Sequence, residues 1–118
     1  MPATDPILVI DDDPEVQLYL QLALAPLGRP VLVAEALPDI PLAAALVDLL
    51  LGDAEGLPLL LALRARGVPV AAISGLGPEA PQVRAAAEAG AVILAKPFGL
   101  AELRTVVRDL IARGADPS

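Results

Sequence analysis

The chain has no cysteine and no histidine. Those two absences remove disulfides, thiolate chemistry, imidazole acid–base catalysis and the usual zinc ligands together. Carboxylates, hydroxyls, guanidiniums and one amine remain, so any metal should be a hard, oxygen-liking cation. Aromatics are nearly absent: Tyr19 and Phe98 are the only two, which does not make a stacking platform for single-stranded nucleic acid. A formal net charge of −7 on 118 residues repels phosphate backbones, so no nucleic-acid partner is expected. The start has no basic stretch followed by an apolar run, and no signal peptide is expected. Charge or proline interrupts every apolar run well before membrane-spanning length, so the expectation is a cytoplasmic protein without a membrane partner.

What is present is apolar material for one core. Hydrophobic residues make up 56% of the chain and charged residues 19%, which suits a single folded domain over residues 1–118. Lys96 is the only lysine among eight basic residues. Either the arginine bias reflects codon composition, or Lys96 stands where a compact ammonium serves and a planar fork does not. Both readings stay open at this point.

Ile7-Leu8-Val9-Ile10 is a continuous apolar run that ends in Asp11-Asp12-Asp13-Pro14, as a buried parallel strand followed by a polar loop would. Pro14 suits a first helical turn, and Val16, Leu20, Leu24 and Leu27 then recur on one helical face up to Gly28. Further strands are expected at 31–34, at 44–50 with an end around Asp48, at 68–74 and at 91–95, with helices at 57–66, from the end of a Gly75–Pro81 loop to Glu88, and from Leu100 to about Arg113. Leu103, Val106, Val107, Leu110 and Ile111 share one face of the last helix, and residues 114–118 read as a frayed tail.

Apolar strands alternating with helices predict an α/β fold: a flavodoxin-like, doubly wound, five-stranded parallel sheet in the order 2-1-3-4-5. Only residues 35–43, which contain Pro38 and Pro41, separate the second and third strands. Nine residues span about 30 Å at full extension, enough to cross with little slack, so the second helix should be absent or reduced to one turn.

This order collects the polar residues at one sheet edge. Asp11, Asp12 and Asp13 follow strand one, Asp48 ends strand three, Ser74 ends strand four and Lys96 ends strand five. Ligands in such sheets bind at the carboxyl ends of strands, near the point where strand order reverses. Clustered carboxylates repel unless a cation intervenes. A divalent hard metal and the Lys96 ammonium are the two available sources of relief. Asp48 would then be a nucleophile toward a phosphoryl group, with Ser74 donating a hydrogen bond to it. Each residue alone has a plainer explanation: an acidic run is usually a solvated loop, and a lone Asp or Ser at a strand end is usually a cap or turn former. The conjunction in strand order carries the functional reading.

The stretches Ile7 to Pro14, Leu46-Val47-Asp48-Leu49 through Gly56, Ile73-Ser74-Gly75 and Lys96-Pro97-Phe98 resemble the receiver domain of response regulators, the CheY-like module of two-component signalling. The resemblance covers essentially the whole chain. It implies that Asp48 is the phosphoacceptor and a ligand of Mg2+, with Asp11, Asp12 and the backbone carbonyl of Leu50 as further metal ligands and Asp12 the more direct of the acidic pair. It further implies that Ser74 swings toward the phosphoryl group, that Lys96 pairs with it, and that Asp13 is a loop acid. A histidine kinase or phosphotransfer protein would supply the phosphoryl group from a phosphohistidine. The output would be a shift in the face made by residues 81–88, 91–95 and 100–113, altering affinity for a downstream protein partner. Such a chain is a signalling receiver and not an enzyme beyond its own phosphorylation and dephosphorylation. Met1 reads as a natural start, so a stand-alone receiver is expected, with a fragment of a longer regulator as the alternative.

The departures from the family pattern are specific. Ile93 stands where an aromatic is usual, Gly52 where a proline is common, and Gly75 where a small side chain is usual. The shortened crossover lies in a region where such domains often meet the kinase. Two other functions compete. One is a receiver-shaped protein-binding module independent of phosphate. The other is a haloacid-dehalogenase-type phosphatase, whose nucleophile would lie on strand one; the sequence lacks that family's later acidic pair after Lys96.

Overall fold

A computed structural model describes residues 4–51 and 54–115. The first strand, β1 (Ile7–Ile10), is wholly buried, as a central strand covered on both faces must be. Helix α1 (Pro14–Leu24) begins on Asp13, whose side chain accepts a hydrogen bond from the Glu15 amide at 2.9 Å. Asp13 is therefore the N-cap of α1, a more definite role than that of a loop acid. The helix was expected to reach Leu27. It instead tightens into a 3-10 turn over Ala25–Leu27, which contains Pro26, and Gly28 stops it with a left-handed φ of 77°.

Strand β2 (Val31–Val33) is followed, through residues 34–43, by β3 (Ala44–Asp48) with no helix between them. The short, proline-bearing crossover runs as irregular chain, in line with its length. Arg66 fastens it, donating from its two terminal nitrogens to the carbonyls of Pro38 (3.0 Å) and Ile40 (2.8 Å). Strand three was expected within residues 44–50, ending around Asp48. It ends at Asp48, and the chain turns into a small antiparallel pair, β4 (Leu50–Leu51) and β5 (Ala54–Glu55). Gly52 lies outside the described residues.

Helix α2 (Leu57–Ala65) leads through Gly67 to β6 (Val70–Ser74), which begins two positions later than expected. Helix α3 (Pro81–Glu88), strand β7 (Val92–Ala95) and helix α4 (Leu100–Ala115) complete the fold. The last helix continues past Arg113 to Ala115, where fraying was expected, and residues 116–118 lie outside the described part. The sheet is parallel throughout, in the order β2-β1-β3-β6-β7, which is the predicted 2-1-3-4-5.

Strand alternation divides the core between the two faces. Ile7, Val9, Leu46 and Ile73 pack under α1 and α4 against Leu20, Leu24, Leu103 and Val107. Leu8, Ile10, Val47 and Ala72 pack under α2 and α3 against Leu60, Leu63 and Val83. Fully burying one such leucine contributes about 1.5–3 kcal/mol. This two-sided packing fixes the strand ends rigidly enough to hold a site. Where the second helix is missing, Leu32, Ala34 and Leu37 are only partly covered. Among the described residues no helix is long and apolar enough to cross a membrane.

Candidate functional site

Strand register sets the site. Asp48 pairs with Ile73 across β3 and β6, and Ser74 pairs with Ala95 across β6 and β7. The Lys96 amide donates to the Ser74 carbonyl at 2.8 Å, extending that ladder by one step. Asp48, Ser74 and Lys96 thus leave neighbouring strands at the same edge, and Asp11 follows the end of β1 beside β3.

Asp48 is 5% exposed. Its Oδ2 accepts a hydrogen bond from Lys96 Nζ at 2.9 Å, and its Oδ1 accepts one from the Leu50 amide, also at 2.9 Å. The turn into β4 therefore orients the carboxylate. Gly56 makes that turn possible. Its amide donates to the Leu49 carbonyl at 2.9 Å, and a Cβ at this position would lie 1.9 Å from the Asp48 carbonyl oxygen.

Asp11 is also buried. Its Oδ1 accepts the Asp13 amide at 2.9 Å, while its Oδ2 has no hydrogen-bond partner among the described residues. Gln17, one turn into α1, holds the Asp11 carbonyl through its side-chain amide. Burial pushes the Asp11 carboxyl up to about 6; the Asp13 amide opposes this and the negative charge of Asp48 adds to it. Lys96 is pulled in two directions. Desolvation works against its charge, but the hydrogen bond to Asp48 and the charges of Asp48, Asp11 and Asp13 together hold its pKa above the ordinary lysine value.

The remaining expected residues are less closely assembled. Asp12 is exposed and lines, with Asp11, Glu35 and Leu51, a cavity of about 290 Å³ on the side of the missing helix. Ser74 is buried, but its hydroxyl is engaged with Leu76, accepting from the amide at 2.9 Å and donating to the carbonyl at 3.3 Å. Ile93 is partly buried against the α2/α3 core. Among the described residues no three acidic side chains form a ready metal-binding group. The two buried carboxylates, with one oxygen left without a partner, nevertheless fit a hard cation that accepts oxygen ligands and water. Three contributors carry no mark in the sequence pattern: Gln17, Leu76 and the Leu50 amide. Nothing in the local sequence marks a backbone amide, and Gln17 becomes notable only once α1 is docked beside β1.

No protein-family model matches the sequence. The KDP operon transcriptional regulatory protein KdpE of Escherichia coli is 34% identical over 116 residues, covering 91% of this chain and 51% of that protein. The chain thus spans about half the length of that curated relative. Among solved structures, a CheY-like receiver domain protein from Methanospirillum hungatei superposes with a TM-score of 0.84 at 21% identity, covering 95% of this chain and 97% of that one. A putative response regulator from Chloroflexus aurantiacus gives 0.76 at 28% identity over 93% and 99% of the two chains. The receiver domain of a Pseudomonas aeruginosa sensor histidine kinase, with magnesium coordinated in its active-site cleft, gives 0.77 at 26% identity over 93% and 99%.

The strand order, the Asp48–Lys96 pair at the strand ends and these likenesses define one class. The chain is a CheY-like receiver domain of the response-regulator type.

Proposed function

We propose that the chain is a single receiver domain that takes a phosphoryl group from a phosphohistidine onto Asp48 and thereby switches its affinity for a protein partner. The observation that carries this reading is the Asp48 carboxylate, fixed by Lys96 and the Leu50 amide beside the buried, partly unpartnered Asp11. A surface carboxylate has no such arrangement.

In the proposed step an Asp48 carboxylate oxygen attacks phosphorus as the phosphorus–nitrogen bond to the donor imidazole breaks. The product is an aspartyl phosphate, and the imidazole leaves with the bond's electron pair and takes up a proton. The Leu50 amide holds Oδ1, so Oδ2 is the oxygen that exchanges its Lys96 contact for the bond to phosphorus. Lys96 is 39% exposed, which leaves its ammonium able to follow the charge onto the phosphoryl oxygens. Ser74 reaches the group only after releasing both contacts to Leu76, and that exchange is the conformational element coupled to phosphorylation. Asp11, Asp12, Asp48 and the Leu50 carbonyl would hold Mg2+. Bound there, it would neutralise the clustered carboxylates and the incoming phosphoryl charge. The donor would be a histidine kinase or phosphotransfer protein, in a cytoplasmic setting. The domain acts as a signalling receiver whose only chemistry is on itself.

The test is intact mass after incubation with Mg2+ and acetyl phosphate. The wild-type chain is expected to gain one phosphoryl group and an Asp48→Ala variant none. If neither gains mass and the wild type has no affinity for Mg2+, the chain is a phosphate-independent binding module instead.

A further inference from the structure

The edge of the sheet opposite the carboxylates carries a group of arginines. Helices α2, α3 and α4 all end there, at the amino end of β6, and between them lies a cavity of about 250 Å³. Arg64 and Arg113 flank it, and Gly67, Gly90, Leu110 and Gly114 are in its wall. A second hollow of about 280 Å³ shares Gly67 and Gly114 with it and adds Arg66 and a single acid, Asp5. Three of the eight basic residues of a chain of net charge −7 thus gather at one edge.

Arg64 is held in place. Its Nε donates to the Ala89 carbonyl at 3.0 Å and one Nη1 hydrogen to the Val68 carbonyl at 2.9 Å. Gly90, at φ 94°, leaves room for the guanidinium; a Cβ there would lie 3.2 Å from Nη2. Of five guanidinium donors, the Nη2 pair and one on Nη1 remain. Neither Arg64 nor Arg113 pairs with a carboxylate among the described residues.

A plainer account is that cations collect at helix carboxyl ends to offset the dipole. It explains the two bonds of Arg64 but not the remainder. At the ends of α2 and α3, backbone amides already occupy several of the exposed carbonyls: Arg66 and Val68 take Leu63, Gly67 takes Arg64, Gly90 takes Ala87 and Ala91 takes Ala86. Arg113 has no hydrogen bond or ion pair among the described residues, on the rim of a cavity with ample room beyond a single water.

We propose that this cavity is a binding site for a small phosphate-type oxyanion, gripped by Arg64 and Arg113 at the edge opposite Asp48. Two guanidiniums on one small space match an oxyanion with two charges, which accepts forked hydrogen bonds from both. The glycine lining lets the anion approach the backbone. Asp5, in the adjoining hollow, limits how far a larger anion extends that way.

The three glycines provide the assay. Inorganic phosphate and then pyrophosphate are titrated into the whole chain at constant ionic strength, without divalent metal, while glycine amide signals are followed by NMR. Gly67, Gly90 and Gly114 should shift saturably with one common Kd, while Gly75 and Gly99 stay in place. Arg113→Gln, a change at an exposed helix position, should weaken the affinity about tenfold or more, the loss expected for one charge-assisted contact. Lys96→Ala should leave it unchanged. Shifts that rise linearly without saturation, or that survive Arg113→Gln and vanish with Lys96→Ala, would overturn the proposal.

Discussion

Asp11 should destabilise the metal-free fold at neutral pH, and replacing it should make the protein more stable. An ordinary aspartate titrates near 3.8, whereas burial holds Asp11 at about 6. Below the lower value the carboxyl is protonated in both folded and unfolded chains and contributes no difference. Between the two values the folded state keeps a proton that the unfolded state has released, so stability falls as pH rises through this window. Above about 6 the full cost is present. At about 1.4 kcal/mol per pH unit of separation, it amounts to on the order of 2–3 kcal/mol. Asp11→Asn removes the charge and keeps an oxygen for the Asp13 amide, while its amide group becomes a donor beside Asp48. In urea unfolding with EDTA, the variant should exceed the wild type by roughly that amount at about pH 7.5, a midpoint shift of about 1 M or more. The gap should close near pH 4, as protonation makes the wild type resemble the variant. Adding Mg2+ should stabilise the wild type and narrow the gap at neutral pH. A variant no more stable than wild type at neutral pH, or a gap that does not change with pH, would refute the assignment of a buried, desolvated carboxyl.

Three substitutions probe the supports of the site. Gly56→Ala should cost about 2–4 kcal/mol in chemical denaturation, because the new Cβ meets the Asp48 carbonyl at 1.9 Å; a loss below about 0.5 kcal/mol would mean the turn is open there. Arg66→Ala frees the Pro38 and Ile40 carbonyls, and should cost about 1 kcal/mol while raising amide exchange and proteolysis over residues 35–43 more than in the sheet. Lys96→Ala should cost about 1–3 kcal/mol, since it leaves the buried Asp48 carboxylate beside Asp11 without its ammonium. The same variant should slow phosphoryl uptake onto Asp48 in the acetyl phosphate assay, so a stability loss well above that range would point to a structural role for Lys96.

The parts of this fold that sequence reveals are those fixed by two-sided burial. Runs such as Ile7-Leu8-Val9-Ile10 are wholly enclosed, so every position had to be apolar. The missing helix was legible for a different reason: nine residues with two prolines cannot cross a sheet and also wind. Strand ends were less clear, because Leu49 and Leu50 are as apolar as the strand before them. What turns the chain there is the pair of contacts that Leu50 and Gly56 make around Asp48, and neither backbone amide has a sequence signature. The inward-facing Asp11 and outward-facing Asp12 could not be told apart by composition either. Only α1 decides it: the Gln17 side chain fixes the Asp11 carbonyl, and the Asp13 cap fixes where the helix starts.

The functional tension in the molecule lies at two acids. Adjacent buried carboxylates at Asp11 and Asp48 cost stability, and a single ammonium at one of them relieves only part of it. A fold that needed only a scaffold would gain by losing Asp11. Its burial beside Asp48, with one oxygen unsatisfied, is intelligible as a site held ready for positive charge. Ser74 fits the same logic: its hydroxyl is satisfied locally by Leu76, so the resting state carries no unpaired donor there. Unphosphorylated, the hydroxyl has no reason to move. A phosphoryl group on Asp48 would offer charge-assisted contacts stronger than the neutral pair with Leu76. The difference between those two sets of bonds would set the switching free energy, and the loop after β6 is where it would first appear as motion.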